Sequence, residues 1–188
     1  MNIFSKNKII LAVTGASGSI YASEALKMLV SSSKVEEVAL IYSHNGQKVW
    51  AYEKQEDIFH EKIRAFSNDD LFAPPSSGSS LYSAMLVIPC SMGTLAKIAH
   101  GIADTLITRA ADVMLKERRP LWLAVREAPY NLVHIKNMEA VTLAGGGIFP
   151  LTPFFYHHPK DIHELVQPLI SRLLNLVGIV EPTVRWKE

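Results

Sequence analysis

The chain has 188 residues, 48% of them apolar, and a net charge of +1. That length supports one domain with a substantial core, and the near-neutral charge excludes a basic nucleic-acid surface and a charged disordered tail. The single cysteine, Cys90, excludes an internal disulfide and suits a reducing cytoplasm.

Met1 to Asn7 is a short polar lead-in, and the apolar run after it is far too brief for a signal peptide or a membrane span. Ile9 to Val13 is unbroken, apolar and rich in β-branched residues, which predicts a strand buried on both faces. Thr14-Gly15-Ala16-Ser17-Gly18 follows, built from small residues that accept tight or positive-φ geometry. From Ile20 the spacing is helical, with Ile20, Leu26, Leu29 and Val30 on one face and Glu24 and Lys27 off it. A strand, a glycine turn and a helix N-terminus make an anion site, where free N–H groups and the helix dipole are expected to converge on a phosphate. Ser17 stands where a dinucleotide fingerprint has its second glycine. The next strand, Val35 to Tyr42, ends in Ser43-His44-Asn45, with no acid to take a ribose hydroxyl. A mononucleotide such as FMN therefore fits better than NAD, with the Ser17 and Ser43 hydroxyls at the carboxyl ends of adjacent strands.

Gln47 to Phe66 reads as a helical region carrying Val49, Trp50, Ile58, Phe59 and Ile63, and Pro74 to Ser80 is a loop by composition. Ala84 to Ile88 predicts a third buried strand, stopped by Pro89. Cys90-Ser91-Met92-Gly93-Thr94 then leads into a helix with Leu95, Ile98 and Ala99, a second strand–loop–helix unit facing the same crevice. Cys90 reads as a small buried hydrophobe rather than a nucleophile. Asp104 is expected to cap a helix running to about Glu117, whose apolar stripe is Leu106, Ile107, Ala110, Val113 and Met114. Arg109, Asp112 and Lys116 are spaced to pair along its other side. Leu121 to Val125 predicts a fourth strand with Arg126-Glu127-Ala128-Pro129 at its carboxyl end. A helix from Asn131 to Ala144 and a turn at Gly145–Gly147 lead to a short fifth strand at Ile148-Phe149.

Strands alternating with helices predict a three-layer α/β domain, a Rossmann-like or flavodoxin-like parallel sheet with helices on both faces. The whole chain, residues 1–188, is expected to be a single flavoprotein domain whose segment 150–188 closes the site. That segment is unusually aromatic at Phe154, Phe155 and Tyr156, beside His157 and His158. Its last helix, Asp161 to Val177, carries a stripe at Ile162, Leu165, Val166, Leu169, Ile170 and Leu173. Pro168 is expected to kink or shorten it, and Arg172 flanks the stripe where it could point inward. Trp50, Phe154 and Phe155 read as exposed apolar positions that hint at subunit contacts.

Several motifs carry a family resemblance across nearly the whole chain. They are T-G-A-S-G-S at Thr14 to Ser19, S-G-S at Ser77 to Ser79, and P-C-S-M-G-T-L at Pro89 to Leu95. Further on come R-A-A-D-V-M-L-K-E-R-R-P-L at Arg109 to Leu121, R-E-A-P at Arg126 to Pro129, and F-Y-H-H-P at Phe155 to Pro159. The chain resembles the bacterial flavin prenyltransferases, the family that makes the prenylated FMN used by a partner decarboxylase of ubiquinone biosynthesis.

The resemblance implies a prenyltransferase that joins a dimethylallyl group from dimethylallyl monophosphate to reduced FMN, forming a fourth ring. It implies FMN held by Gly15, Ala16, Ser17, Ser43, Ser91, Met92, Gly93, Thr94 and Arg126. It implies dimethylallyl phosphate held by Tyr156 and Arg172, with Lys116 and Arg109 as further cationic partners. Glu53 and Glu127 are implied beside the reaction centre, and Ser17, Glu53, Lys116 and Glu127 form the implied catalytic set. The proton lost at ring closure goes either to the bound phosphate or to Glu127. A cytoplasmic homododecamer with sites between subunits is implied, handing its product to the decarboxylase. Relatives often carry a Trp shortly before the S-G-S loop, where this chain has Leu71-Phe72; either Phe72 or Trp186 supplies that aromatic wall.

An allylic monophosphate is a poor electrophile until its leaving group is stabilised, commonly by magnesium. The chain has no D-D-x-x-D cluster, and Asp69-Asp70 is an isolated pair, so the expectation is a metal-independent reaction. A cage of Lys116, Arg109, Arg172 and Tyr156 would stabilise the phosphate by charge-assisted bonds, with aromatic faces sheltering the allyl cation. Two alternatives differ at named residues. A flavin-dependent cysteine decarboxylase of the same fold carries P-A-S-A-N-T where this chain has P-C-S-M-G-T, and P-x-M-N-x-x-M-W where it has P-Y-N-L-V-H-I-K. A non-catalytic FMN carrier would need no cation cage.

Overall fold

Ile9, Ile10, Leu11, Ala12 and Val13 are each 0% exposed. A run with apolar side chains pointing both up and down is stable only as a strand covered on both faces. This is β1 (Asn7–Val13) in the computed structural model, which describes residues 7–181 and 184. Trp186, one candidate for the aromatic wall, lies outside the described residues. With β2 (Val35–Tyr42), β3 (Ile63–Ser67), β4 (Tyr82–Cys90), β5 (Leu121–Val125) and β6 (Gly147–Pro150) it forms one sheet in the order β3-β2-β1-β4-β5-β6. All neighbours are parallel. This is the doubly wound order whose switch point lies between β1 and β4, where successive connections leave for opposite faces.

The helices are α1 (Ser19–Ser31), α2 (His44–Tyr52), α3 (Met92–Ala99), α4 (Leu106–Lys116), α5 (Leu132–Leu143) and α6 (Ile162–Asn175). On one face Leu26 and Leu29 of α1, Trp50 of α2 and Leu169 and Leu173 of α6 pack onto Ile9, Leu11 and Leu86. On the other, Leu95 of α3, Leu106 and Val113 of α4 and Val141 of α5 cover Ile10, Met85 and Val87. Because every strand is parallel, the chain leaves every strand at the same edge of the sheet. The N-termini of α1, α2 and α3, each one short turn beyond its strand, gather there.

Five local expectations need correction. The helix predicted across Gln47 to Phe66 ends at Tyr52, and the chain then supplies β3, a sixth strand on the sheet edge. An edge strand of five residues with only Ile63 and Phe66 half-buried has no apolar run to announce it. Trp50 is core rather than a subunit contact: it is 5% exposed and meets Tyr42 edge-on at 5.4 Å. Pro89 does not stop β4, which continues to Cys90 with a register shift after Val87. The N-cap of α4 is Thr105, in a reciprocal box with Thr108, while Asp104 pairs with Lys97 at 2.7 Å. Pro168 does not cut α6 short: the helix runs through it to Asn175.

Leu29 is 0% exposed, in the layer shared by α1, α6 and the sheet. Leu29→Ala is expected to cost about 2–5 kcal/mol, as deletion of a buried leucine side chain does. Urea denaturation measures it, and a loss below about 1 kcal/mol would contradict this packing.

Candidate active site

Thr14 ends β1 and is 1% exposed, so its hydroxyl must find partners inside the protein. Oγ1 donates to the Pro89 carbonyl at 2.8 Å and accepts the Ser91 N–H at 2.8 Å. The ends of β1 and β4 are thereby joined where their loops part. On the other side of β1, the Ser43 N–H donates to the Val13 carbonyl at 2.9 Å. A Cβ on Gly46 would lie 2.3 Å from the Val13 oxygen, and one on Gly15 would lie 2.6 Å from Asn45 Cβ. Only glycine lets the first turn of α2 approach β1 this closely.

The N-terminus of α1 is an anion site, but its anion is a side chain of the protein. Gly18 N–H donates to Glu53 Oε1 at 2.9 Å and Ser19 N–H to Oε2 at 2.6 Å. The phosphate expected on these groups is displaced because Glu53, the C-cap of α2, delivers its carboxylate there first. Partial burial opposes the Glu53 charge, but hydrogen bonds from the Ser17 side chain and the Gly18 and Ser19 backbone outweigh it. They hold the carboxyl below the usual 4.5.

Two cavities flank the Gly15–Gly18 loop. One, of about 420 Å³, is bounded by the first turns of α2, α3 and α4, with Gly15 and Lys97 in its wall. Ser43 Oγ accepts the Gly46 N–H at 3.0 Å, and Ser91 Oγ accepts the Thr94 N–H at 3.3 Å. The earlier N–H groups of both turns, at His44, Asn45 and Gly93, have no partner within their own helices and stand in the cavity wall. Hydroxyls, helix N-termini and a lysine suit a phosphate. The other cavity, of about 460 Å³, sets Ser17, Glu53 and Arg126 against Ile20, Tyr21, Leu151 and Leu165. Arg126 Nε donates to the Ser17 carbonyl at 2.9 Å. Burial pushes the Tyr21 phenol up, with Arg126 opposing. A flavin mononucleotide has a phosphate at one end and a flat, largely apolar ring system at the other. One cavity suits each end, and the glycine–serine loop lies between.

Of the residues implied for FMN, Gly15, Ser43, Ser91, Gly93 and Thr94 line the first cavity and Ser17 and Arg126 the second. Ala16 and Met92 are buried, Met92 in the core beneath α3. Cys90 is fully buried, which pushes its thiol up to about 12. Glu53 reaches the site; Glu127 is exposed, lines neither cavity, and accepts the N–H of Ala128 at 3.1 Å.

The four phosphate-cage residues are not brought together within one chain. Arg109 and Lys116 lie on α4, on the opposite face of the sheet from α6. Arg109 holds the Ser76 carbonyl and Asp112, and Lys116 pairs with Glu117. Arg172 does not point inward but is exposed in the last turn of α6, roughly 15 Å along the helix from Ile162 at the second cavity. Tyr156 stacks on Phe154 with ring centroids 4.7 Å apart. Phe155 is 66% and Phe72 100% exposed. Among the described residues there is no group of three or more side chains placed to hold a metal.

Sequence reasoning missed Thr14, Tyr21, Lys97 and Arg119, whose guanidinium holds the carbonyls of Gly78 and Ser80 at 2.8 and 2.7 Å. Thr14 alone had a legible signal, a polar residue ending an apolar strand.

A depressed carboxyl stabilises the fold above its unfolded pKa, and that contribution is lost as pH falls through the lower folded value. Glu53→Gln is therefore expected to be less stable than the parent at neutral pH, with the gap narrowing in acid as the Glu53 carboxyl takes up its proton. Urea midpoints at neutral and acid pH measure this; an equal gap at both would contradict the ion's role.

The flavoprotein family profile matches residues 3–173. The flavin prenyltransferase UbiX of Pseudomonas aeruginosa is 40% identical, over 96% of this chain and 94% of that protein. The mitochondrial flavin prenyltransferase PAD1 of Saccharomyces cerevisiae is 39% identical over 96% of this chain and 75% of its own length. Among solved structures, AnUbiX (PadA1) in complex with FMN and dimethylallyl pyrophosphate superposes with a TM-score of 0.90. It is 37% identical and covers 98% of this chain and 99% of its own. The dodecameric FMN-dependent UbiX-like decarboxylase of Escherichia coli O157:H7 also reaches 0.90, at 35% identity over 96% of this chain and all of its own. With relatives this similar over nearly the full length, the chain belongs to the flavin prenyltransferases of the flavoprotein family.

Proposed function

We infer that the protein transfers a dimethylallyl group to reduced FMN. The observation that carries this is the pair of unlike cavities on either side of one glycine–serine loop, in a chain of this family. Ser43, Ser91, Gly93 and Thr94 hold the flavin phosphate, while Ala16, Ser17 and Arg126 hold the ring side. Bound reduced FMN supplies the nucleophilic ring atoms that take up the dimethylallyl group and close a fourth ring. Glu53, kept ionised by Gly18 and Ser19, faces the ring side together with Ser17 and can accept or return a proton there.

Tyr156, Arg172, Lys116 and Arg109 hold the prenyl phosphate and stabilise it as it leaves, by charge-assisted bonds and without a metal ion. Since one chain keeps them apart, neighbouring copies assemble the cage. Glu127, exposed in a single copy, joins the reaction centre in the same way. A homododecamer like the E. coli relative supplies such neighbours, and exposed Phe72, Phe155, Leu132 and Val133 supply apolar surface for the contact. The donor is dimethylallyl monophosphate, and the product passes to a decarboxylase. The chain acts as a single domain, with segment 150–188 closing the site. No helix among the described residues is long and apolar enough to cross a membrane, and we place the enzyme in the cytoplasm. The cysteine-decarboxylase alternative is weaker: the FMN-dependent cysteine decarboxylase TvaF shares the fold, with a TM-score of 0.59, at only 17% identity.

Anaerobic incubation with reduced FMN, dimethylallyl monophosphate and a chelator is expected to yield a flavin heavier by one dimethylallyl group. Unaltered FMN would contradict the function. Product formed only after magnesium is restored would contradict metal independence.

A further inference from the structure

Proline has no N–H, so Pro168 leaves the carbonyl of Glu164, four residues back in α6, without its helical donor. The vacant acceptor is taken from outside the helix: His157 Nε2 lies 2.9 Å from the Glu164 oxygen. A carbonyl only accepts, so Nε2 carries the proton. Nδ1 is buried with no hydrogen-bond partner. The Glu164 side chain holds the same loop further along, accepting the Lys160 N–H at 2.8 Å. The His157 ring meets Phe154 edge-on at 5.3 Å and Tyr156 at 6.0 Å, and Phe154 packs against the core layer of α1 and α6. The turn carries the bond from the His158 N–H to the Phe155 carbonyl at 3.0 Å and a left-handed φ of 54° at His158.

We propose that Pro168 and His157 work as one device. The proline frees a carbonyl on α6, and the His157 bond to that carbonyl sets the position of Tyr156 for the prenyl phosphate. His157 is a positioning residue here, and its effect on transfer rests on the reading of Tyr156 given above. The device explains why a proline in the middle of α6 leaves the helix continuous, since the orphaned carbonyl is satisfied from the loop.

Three variants separate the parts. His157→Phe keeps a ring for the edge-on contact with Phe154 and removes the donor. His157→Gln keeps an amide N–H at about the reach of Nε2. Pro168→Ala restores a helical donor that competes for the Glu164 carbonyl. Hydrogen exchange at the His158 amide, and KM for dimethylallyl monophosphate against flavin affinity, are measured in each. His157→Phe and Pro168→Ala are expected to speed exchange and raise KM by about tenfold or less, with flavin affinity unchanged and His157→Gln close to the parent. Unchanged exchange in both His157→Phe and Pro168→Ala would overturn the tether. Faster exchange with an unchanged KM would overturn the positioning of Tyr156. Tyr156→Phe with an unaltered KM would instead remove the underlying reading of Tyr156, while exchange still judges the tether.

Discussion

The site depends on one buried hydroxyl. Thr14 binds the Pro89 carbonyl and the Ser91 N–H at once, at the switch point between β1 and β4, from which α1 and α3 leave for opposite faces of the sheet. Without that hydroxyl the starts of the two loops, Gly15–Gly18 and Ser91–Thr94, would rest on the longer bond from the Thr14 N–H to the Pro89 carbonyl, at 3.3 Å, and the part-buried Ser91 N–H would lose its acceptor. With it, both loops start from one fixed point. Gly15 and Gly46 then let the first turn of α2 close in from the other side of β1. A parallel sheet guarantees that helix N-termini share an edge; Thr14 and the two glycines set how close they come.

Charge is then distributed among those termini. Glu53 takes the two leading N–H groups of α1, which keeps it ionised at the second cavity. The turns of α2 and α3 are capped only by serine hydroxyls and keep earlier donors for an external phosphate. One loop thus separates a region whose negative charge is built in from one that presents open donors and a lysine.

Much of this was legible in the sequence where the physics is local. The fully buried strands declare themselves as apolar runs, and the glycine–serine loops at their ends mark the crevice. What stayed hidden depends on partners distant in the chain. β3 has no run of its own and exists by pairing with β2. Trp50 sits in a polar stretch, yet Tyr42 and the sheet bury it. The α1 N-terminus looked like a phosphate site because nothing near it in sequence is acidic; Glu53 arrives from 35 residues away. Pro168 looked like a helix breaker because the histidine that compensates it lies outside the helix.

The proposed prenyl-phosphate cage is the other long-range feature. Arg109 and Lys116 lie on one face of the sheet, and Arg172 and Tyr156 belong to the segment packed on the other. A reaction that needs these cations around one phosphate needs more than one copy of the chain. Subunit complementation tests this most directly. Glu53→Gln, defective on the flavin side, and Arg172→Ala, defective in the cage, are each made and then co-assembled from differently tagged copies. If neighbouring copies share each site, some sites in the mixed oligomer hold both native residues, and transfer returns above the level of either variant alone. Mixed oligomers no more active than the average of the two variants would show that each chain builds its own site, and would contradict the account.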